Sequence, residues 1–347
     1  MNTRVLQAPL TGMQRYVLEL GNRFGGKIEL ISPQRSLSRA QGNTWEQFSL
    51  PMKLGNSVLF SPANTGPLIV SNQVVTIHDV AQLDRSYVPE LNDDIDSKAG
   101  AWYRFLTPRL VKRVAHVITI SEFSKARILA HARMDERRIT VVPNGVDARF
   151  RPHKPDEVFE KLKGLHLPSR HYALCVGSLE PRKNLARLLQ AWSRIQMRMP
   201  NEVWLVLTGK RGNARVFTDA AGLDALPPRV HVTGHVPDDV LPALYGGATV
   251  FVFPSVYEGF GLPPLEAMAS GVPVLTGNRT SLPEVVGDAA LTVDPYDVQA
   301  IADGLAKLID DGDLRDELAK RGRERAARFT WRLAAEKTWQ VLTESAN

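Results

Sequence analysis

Eleven short apolar runs are spaced along the chain, and helix-length segments separate most of them. They read "GKIELIS", "SVLFSP", "QVVTIHD", "HVITIS" and "RITVVPN", then "YALCVGS", "EVWLVLTG", "RVHVTG", "TVFVFPS", "VPVLTG" and "AALTVD". Most are continuously apolar rather than alternating. A strand covered on both faces reads this way, as parallel strands between layers of helices do. The intervening "MQRYVLELGNRF", "ARLLQAWSRIQM", "AIADGLAKLIDD" and "RLAAEKTWQVLTE" carry apolar residues at helical spacing. The pattern predicts an α/β fold built on parallel sheets.

A chain of 347 residues exceeds what one core ordinarily serves, which predicts two domains. The stretch from Asn144 to Gly177 has prolines at 152, 155 and 168, many charges, and no strand-like run until Tyr172. The boundary is therefore placed near Leu165. Residues 1–164 form one Rossmann-like unit and 165–328 a second, with 329–347 a terminal helix crossing back to the first. Parallel sheets bind ligands at the carboxyl ends of their strands, and the cleft between two such domains is the expected site.

Hydrophobic residues make up 44% of the chain, enough for a large core and too many for a disordered protein. The single cysteine, Cys175, lies inside an apolar run and reads as a buried small hydrophobe. No disulfide framework or cysteine metal site is available. "MNTRVLQAPL" lacks a long apolar segment with basic flanks, and no run of 18 apolar residues occurs. A cytoplasmic protein, able to touch the inner face of a membrane, is expected.

The net charge is +6, and residues 1–163 hold 23 Lys/Arg against 16 Asp/Glu while the rest hold 20 against 21. A basic first half attracts anions: lipid head groups, phosphorylated acceptors or nucleic acid. No nucleic-acid motif is present and the basic residues are scattered, so nucleic acid is not expected as a partner. "AWYRFLTPRLVKRVAHV" places Trp102, Tyr103 and Phe105 among Arg104, Arg109, Lys112 and Arg113. That mixture suits an anionic membrane surface. It equally suits an ordinary helix with a buried aromatic face and a solvated basic one.

Chemistry is sought just after the strands. "YALCVGS" is followed by Arg182, Lys183 and Asn184 ahead of a helix. Two cations beside a helix N-terminus can grip a diphosphate, or form a solvated basic turn. His78 and Asp79 follow "QVVTI", and a histidine there can donate a proton or simply be structural. Ser121 or Glu122 can cap the next helix. Ser281, with Glu284 three residues on, reads as a capping box.

"EGFGLPPLE" follows "TVFVFPS" and sets Glu258 and Glu266 eight positions apart. Gly259 and Gly261 allow close backbone approach to a ligand. Pro263 and Pro264 suit a first helical turn, in which Glu266 also falls. Two carboxylates can form a glycosidase couple. They can also be an exposed loop residue and a helix-start glutamate, and the helix start between them argues for separate tasks.

"EGFGLPPLEAMASGVPV" with "SLPEVVGDAALTVDP" strongly resembles retaining family-four glycosyltransferases of the GT-B fold, whose signature is Glu, seven residues, Glu. "ITISEFSK", "VPNGVD", "VGSLEPRKNL", "GHVPDDVLPALY" and "FTWRLAAEKTWQVL" extend the likeness over nearly the whole chain. The resemblance implies that Glu258 contacts donor-sugar hydroxyls and Glu266 the ribose. Backbone N–H groups of Phe260, Gly261 and Leu262 would meet sugar and phosphate. Lys183, with Arg182, would grip the diphosphate. His78 corresponds to a histidine near the sugar and leaving phosphate. Gly12 corresponds to the glycine-bearing loop by the diphosphate, and Gly234, His235 and Val236 to the base-binding edge. Many members carry Arg directly after the strand's glycine; Ser178 stands there instead, and Arg182 is the candidate replacement.

The implied reaction is transfer with retention from a nucleotide-diphosphate sugar, with cations stabilising the leaving diphosphate. No Asp-x-Asp metal motif is recognised in the chain, and the cations are expected to take a metal's place. The likeness is strongest to bacterial mannosyltransferases that use GDP-mannose in exopolysaccharide or O-antigen synthesis, which implies a lipid-linked saccharide acceptor. A rhamnosyl- or glucosyltransferase, a sugar-nucleotide epimerase and a basic nucleic-acid-binding protein are the alternatives.

Overall fold

The computed structural model describes residues 1–8, 10–84, 98–177, 180–200, 202–209 and 226–346, with residues 98 and 99 as backbone. Ten strands are present among them: β1 (Leu59–Ser61), β2 (Gln73–Ile77), β3 (His116–Thr119), β4 (Ile139–Val141), β5 (His171–Val176), β6 (Val203–Thr208), β7 (Val230–Gly234), β8 (Val250–Phe253), β9 (Val274–Gly277) and β10 (Leu291–Val293). Every strand pair is parallel. The eleventh run, "GKIELIS", is not a strand. Gly25–Lys27 is a 3-10 turn, Leu30 is exposed, and only Ile31 bridges, to Asn2.

The chain divides into two compact units, Met1–Gly145 with Phe329–Asn347, and Val146–Arg328. The boundary drawn at Leu165 thus falls earlier. Residues 146–164 pack onto the second unit: Arg149 Nη1 donates to the Asp238 carbonyl at 2.8 Å, and Phe150 meets the Tyr245 ring edge-on at 5.5 Å. Pro152 precedes helix Pro155–Leu162, which Pro155 opens, so these prolines mark a helix start rather than a linker.

In the first unit β1–β4 lie side by side in chain order. Helix Gly12–Phe24 is capped by Thr11 and Gln14 and buries Tyr16, Val17, Leu20 and Phe24. Against it lies helix Trp331–Glu344, which buries Trp331, Ala334, Ala335, Val341 and Leu342. Burying each large side chain contributes about 1.5–3 kcal/mol. A Cβ on Gly145 would lie 2.1 Å from the Trp331 backbone nitrogen, so only glycine permits this approach. Asp84, fully buried, is held by Arg127 and His131.

The second unit has the strand order β10-β9-β8-β5-β6-β7. From β5 the chain runs outward through β6 to β7, then returns to β8 on the other side of β5 and runs outward again. The reversal lies between β5 and β8, where ligands of open α/β sheets bind. Helices Leu185–Ile195 and Val298–Asp310 cover one face, with Trp192, Leu188, Leu305 and Leu308 fully buried between helix and sheet. Cys175 is buried there too, and burial pushes its thiol up to about 12, which fits an inert hydrophobe.

Candidate functional site

The reversal point sets the turn after β5 beside the turn after β8. Pro181–Lys183 forms a 3-10 turn, and Asn184 follows in the left-handed region at φ 61°, which asparagine tolerates. The buried Asn184 amide donates to the Pro254 carbonyl at 3.0 Å and the Pro295 carbonyl at 2.5 Å. The turns after β5, β8 and β10 are thereby fastened together.

Lys183 Nζ lies 2.6 Å from Glu258 Oε1, and Arg182 Nη1 lies 3.1 Å from Glu258 Oε2. Ser255 Oγ completes the carboxylate's shell at 2.6 Å. Lys183 also sits over the Phe253 ring, 4.7 Å from its centroid. Lys183 and Glu258 are both buried, which sets aside the solvated basic turn and the exposed loop residue. Arg182 is partly exposed and is shared with Glu180, whose Oε2 is 2.7 Å from Nε.

Burial alone would raise the Glu258 pKa, but Lys183, Arg182 and the Ser255 hydrogen bond together hold it below the usual carboxylate value. Lys183 is lowered, by burial first and by Arg182 second, with Glu258 opposing. Two cations, Arg182 and Lys183, thus meet two carboxylates, the buried Glu258 and the more exposed Glu180.

The backbone from Glu258 to Gly261 is held from the other side by residues after β9. Glu258 N–H reaches Thr280 Oγ1 at 3.3 Å. Ser281 Oγ lies 2.9 Å from the Glu258 carbonyl and 2.8 Å from the Phe260 carbonyl. The capping box expected of Ser281 and Glu284 is therefore absent: Ser281 makes no side-chain cap, because its hydroxyl serves the neighbouring loop. Gly261, at φ 117°, precedes helix Leu262–Ala269, with Leu262 its first residue and a proline in the first turn. Glu266 falls past that turn, buried, and accepts from the Tyr245 hydroxyl at 3.0 Å. Glu258 and Glu266 thus have different partners.

Gly234, at φ 75°, ends the edge strand β7; His235 is exposed and Val236 buried. Ser178 lies outside the described residues. In the first unit, His78 follows β2 and Gly12 is the first residue of a capped helix rather than part of a loop. His78 Nε2 is 2.9 Å from the Pro62 carbonyl. A carbonyl only accepts, so Nε2 carries hydrogen and Nδ1 keeps its lone pair in the neutral ring. Burial lowers the His78 pKa, with Pro62 and Asp79 opposing, and this favours that neutral form. Ser121 caps helix Glu122–His131 through the Ser124 N–H at 3.0 Å. Of two Asp-x-Asp spacings, 94–96 lies outside the described residues, and Asp311 caps helix Gly312–Ala326 through the Leu314 N–H at 2.9 Å.

The family described as Glycosyl transferases group 1 matches residues 159–325, and Glycosyltransferase Family 4 matches residues 70–150. Both halves of the chain are thus similar to glycosyltransferases. It is 39% identical over 216 residues to O-antigen chain mannosyltransferase B of Escherichia coli, covering 62% of this chain and 57% of that one. It is 29% identical over 294 residues to O-antigen chain mannosyltransferase RfbU of Salmonella typhimurium, covering 81% and 75%. Against Serotype-specific mannosyltransferase WbdA of Escherichia coli the match covers only 28% of the relative. The chain thus spans little more than half of the first relative and under a third of WbdA. The solved glycosyltransferase WaaG superposes with a TM-score of 0.73 at 18% identity over 97% of both chains. Anabaena HepE in complex with UDP-glucose superposes with 0.74 at 16% identity over 97% of both. The fold is GT-B.

In this chain the sequence pointed to Arg182, Lys183 and Glu258, and the structure joins them. It did not point to Ser255, Tyr245 or Thr280. Each is a common polar residue whose partner lies far away in sequence or across a turn, and no local spacing marks it.

Proposed function

We propose that this chain is a retaining mannosyltransferase that moves mannose from GDP-mannose to a lipid-linked saccharide in bacterial exopolysaccharide or O-antigen synthesis. The observation that carries the proposal is the Arg182–Lys183–Glu258 cluster, with Lys183 and Glu258 buried, at the reversal of the second unit's sheet. Residues 146–328 hold the donor, and the first unit takes the acceptor. Lys183 and Arg182 stabilise charge developing on the departing diphosphate. Glu258 accepts from the sugar hydroxyls, and Glu266 accepts from the ribose. Gly234, His235 and Val236 border the base. His78 offers Nδ1 as an acceptor, and Gly12 lies by the diphosphate. The acceptor hydroxyl attacks on the leaving-group face, which gives retention.

Mannose as the sugar is supported by the names of the relatives, O-antigen mannosyltransferases among them. Cations rather than a metal serve the diphosphate, and turnover in excess chelator tests this. Among the described residues no helix is long and apolar enough to cross a membrane. We place the protein at the cytoplasmic membrane face through helix Lys98–Arg113. Phe105 and Arg109 are exposed on it, with Arg109 stacked 4.1 Å from the Phe105 centroid. Trp102 and Tyr103 are less open, so Phe105, 47% exposed, is its most exposed aromatic. Flotation with liposomes tests the docking, which should require anionic lipid.

The donor is tested by incubation with GDP-mannose, GDP-fucose, UDP-glucose and dTDP-rhamnose. Consumption of GDP-mannose above the others is expected. Consumption of another donor with GDP-mannose untouched contradicts the assignment.

A further inference from the structure

The donor-loop glutamate is held by its side chain and, separately, by its backbone. The backbone contacts come from Asn278–Ser281, which follows β9, a neighbour of β8. Thr280 has φ 59°, in the left-handed region. A β-branched residue is disfavoured there, and such strain, of order 1–3 kcal/mol, persists only where surroundings impose it. Its hydroxyl is doubly engaged: Oγ1 donates to the Arg279 carbonyl at 2.7 Å and accepts from Glu258 N–H at 3.3 Å. The next residue, Ser281, is fully buried and reaches the carbonyls of Glu258 and Phe260.

The packing on both sides is close. A Cβ on Gly277 would stand 2.8 Å from the Ser255 carbonyl oxygen, and one on Gly261 would stand 2.9 Å from Leu282 Cδ2. The two loops are pressed together along their length, with three side-chain hydrogen bonds between them. Among the described residues no cis peptide bond is present. In a trans peptide the carbonyl of one residue and the N–H of the next point in opposite directions. With the Glu258 and Phe260 carbonyls turned toward Ser281, the N–H groups of Gly259 and Gly261 are turned away from it. The clamp therefore decides which way the glycine-rich loop presents its donors.

We infer that Thr280 is a positioning residue: its left-handed backbone and hydroxyl, with Ser281, fix the Glu258–Gly261 backbone in the orientation that receives the donor's sugar and phosphate. This rests on the proposed donor reading for its consequence in turnover, but the fixing of the loop does not. The strain at Thr280 has a function, since glycine would adopt the same φ without cost but could not hold the Glu258 N–H.

The test compares wild type with Thr280→Ser and Thr280→Gly. Serine keeps the hydroxyl; glycine keeps the backbone angle and relieves the strain. Amide hydrogen exchange at Glu258 to Gly261 is read first. Thr280→Gly should raise exchange there tenfold or more while the melting temperature holds or rises, and Thr280→Ser should stay within about threefold of wild type. With GDP-mannose, Thr280→Gly should lose at least tenfold in kcat while the Kd for GDP stays within about twofold. Unchanged loop exchange in Thr280→Gly overturns the inference, as does wild-type kcat in that variant. A wild type that binds no nucleotide sugar, with loop exchange still raised in Thr280→Gly, contradicts the donor reading and leaves the clamp standing.

Discussion

Lys183 Nζ and Glu258 Oε1 meet at 2.6 Å from the ends of two adjacent strands, β5 and β8, and both side chains are buried. Removing one partner leaves a buried charge short of compensation, which ordinarily costs about 3–5 kcal/mol. Arg182 still holds Glu258 Oε2, so Lys183→Ala should fall at the low end of that range in denaturant unfolding. Replacing both, as Lys183→Met with Glu258→Leu, should recover most of the stability and none of the turnover. Recovery of turnover in the double variant would show that the pair is structural.

The pH dependence of stability should carry the mark of Glu258. Its folded-state pKa lies below the ordinary 4.5. It therefore contributes stability that is complete above that value and is lost as the pH falls through the folded-state pKa. Melting curves of Glu258→Gln should fall less steeply on acidification than those of wild type. Parallel curves would mean that the carboxylate is unperturbed.

Lys183 acts at the other end of the scale. Its folded-state pKa is below the ordinary 10.5, so the ammonium form disfavours the fold and stability from this group rises with pH between the two values. Nucleotide affinity should fall over the same rise, because the diphosphate needs the charged form. Titration calorimetry with GDP across alkaline pH checks this, and Lys183→Arg should flatten the profile.

Glu266 accepts from the Tyr245 hydroxyl at 3.0 Å. Glu266→Ala should weaken nucleotide binding by the worth of charged hydrogen bonds, about 1.5–3 kcal/mol. That is roughly ten- to a hundredfold in Kd. Tyr245→Phe removes only the second partner and should cost less. Equal GDP affinity in Glu266→Ala and wild type would remove the ribose role.

Gly145 reports on how the C-terminal helix joins the first unit. An added Cβ would meet the Trp331 backbone nitrogen at 2.1 Å, and backbone cannot yield cheaply. Gly145→Ala should lower the melting temperature by several degrees and expose residues 329–346 to proteolysis. Gly26, with nothing within 4 Å of an added Cβ, is the control and should tolerate alanine.

Ten of the eleven runs are strands, legible because short, continuous, β-branched runs suit parallel strands covered by helices on both faces. "GKIELIS" misled because composition resembles a strand, while the pairing that makes one is non-local. The unit boundary was misplaced for a related reason: prolines at 152 and 155 look like a linker, and the contact of Phe150 with Tyr245 is invisible in sequence. Arg182, Lys183 and Glu258 were singled out by their place after strands and by the family resemblance, but their meeting as one ion cluster was not legible, because the two segments lie about 75 residues apart. Ser281 was seen, but for the wrong partner. A serine three residues before a glutamate looks like a cap, and only the folded chain shows its hydroxyl turned to Glu258 and Phe260.

The most direct measurement is GDP-mannose consumption by wild type and by Lys183→Ala, each verified as folded. Losing one preorganised donor to a developing oxyanion costs about a hundred- to a thousandfold in kcat, and that loss is predicted for Lys183→Ala. A folded Lys183→Ala that turns over GDP-mannose at a near wild-type rate contradicts the account.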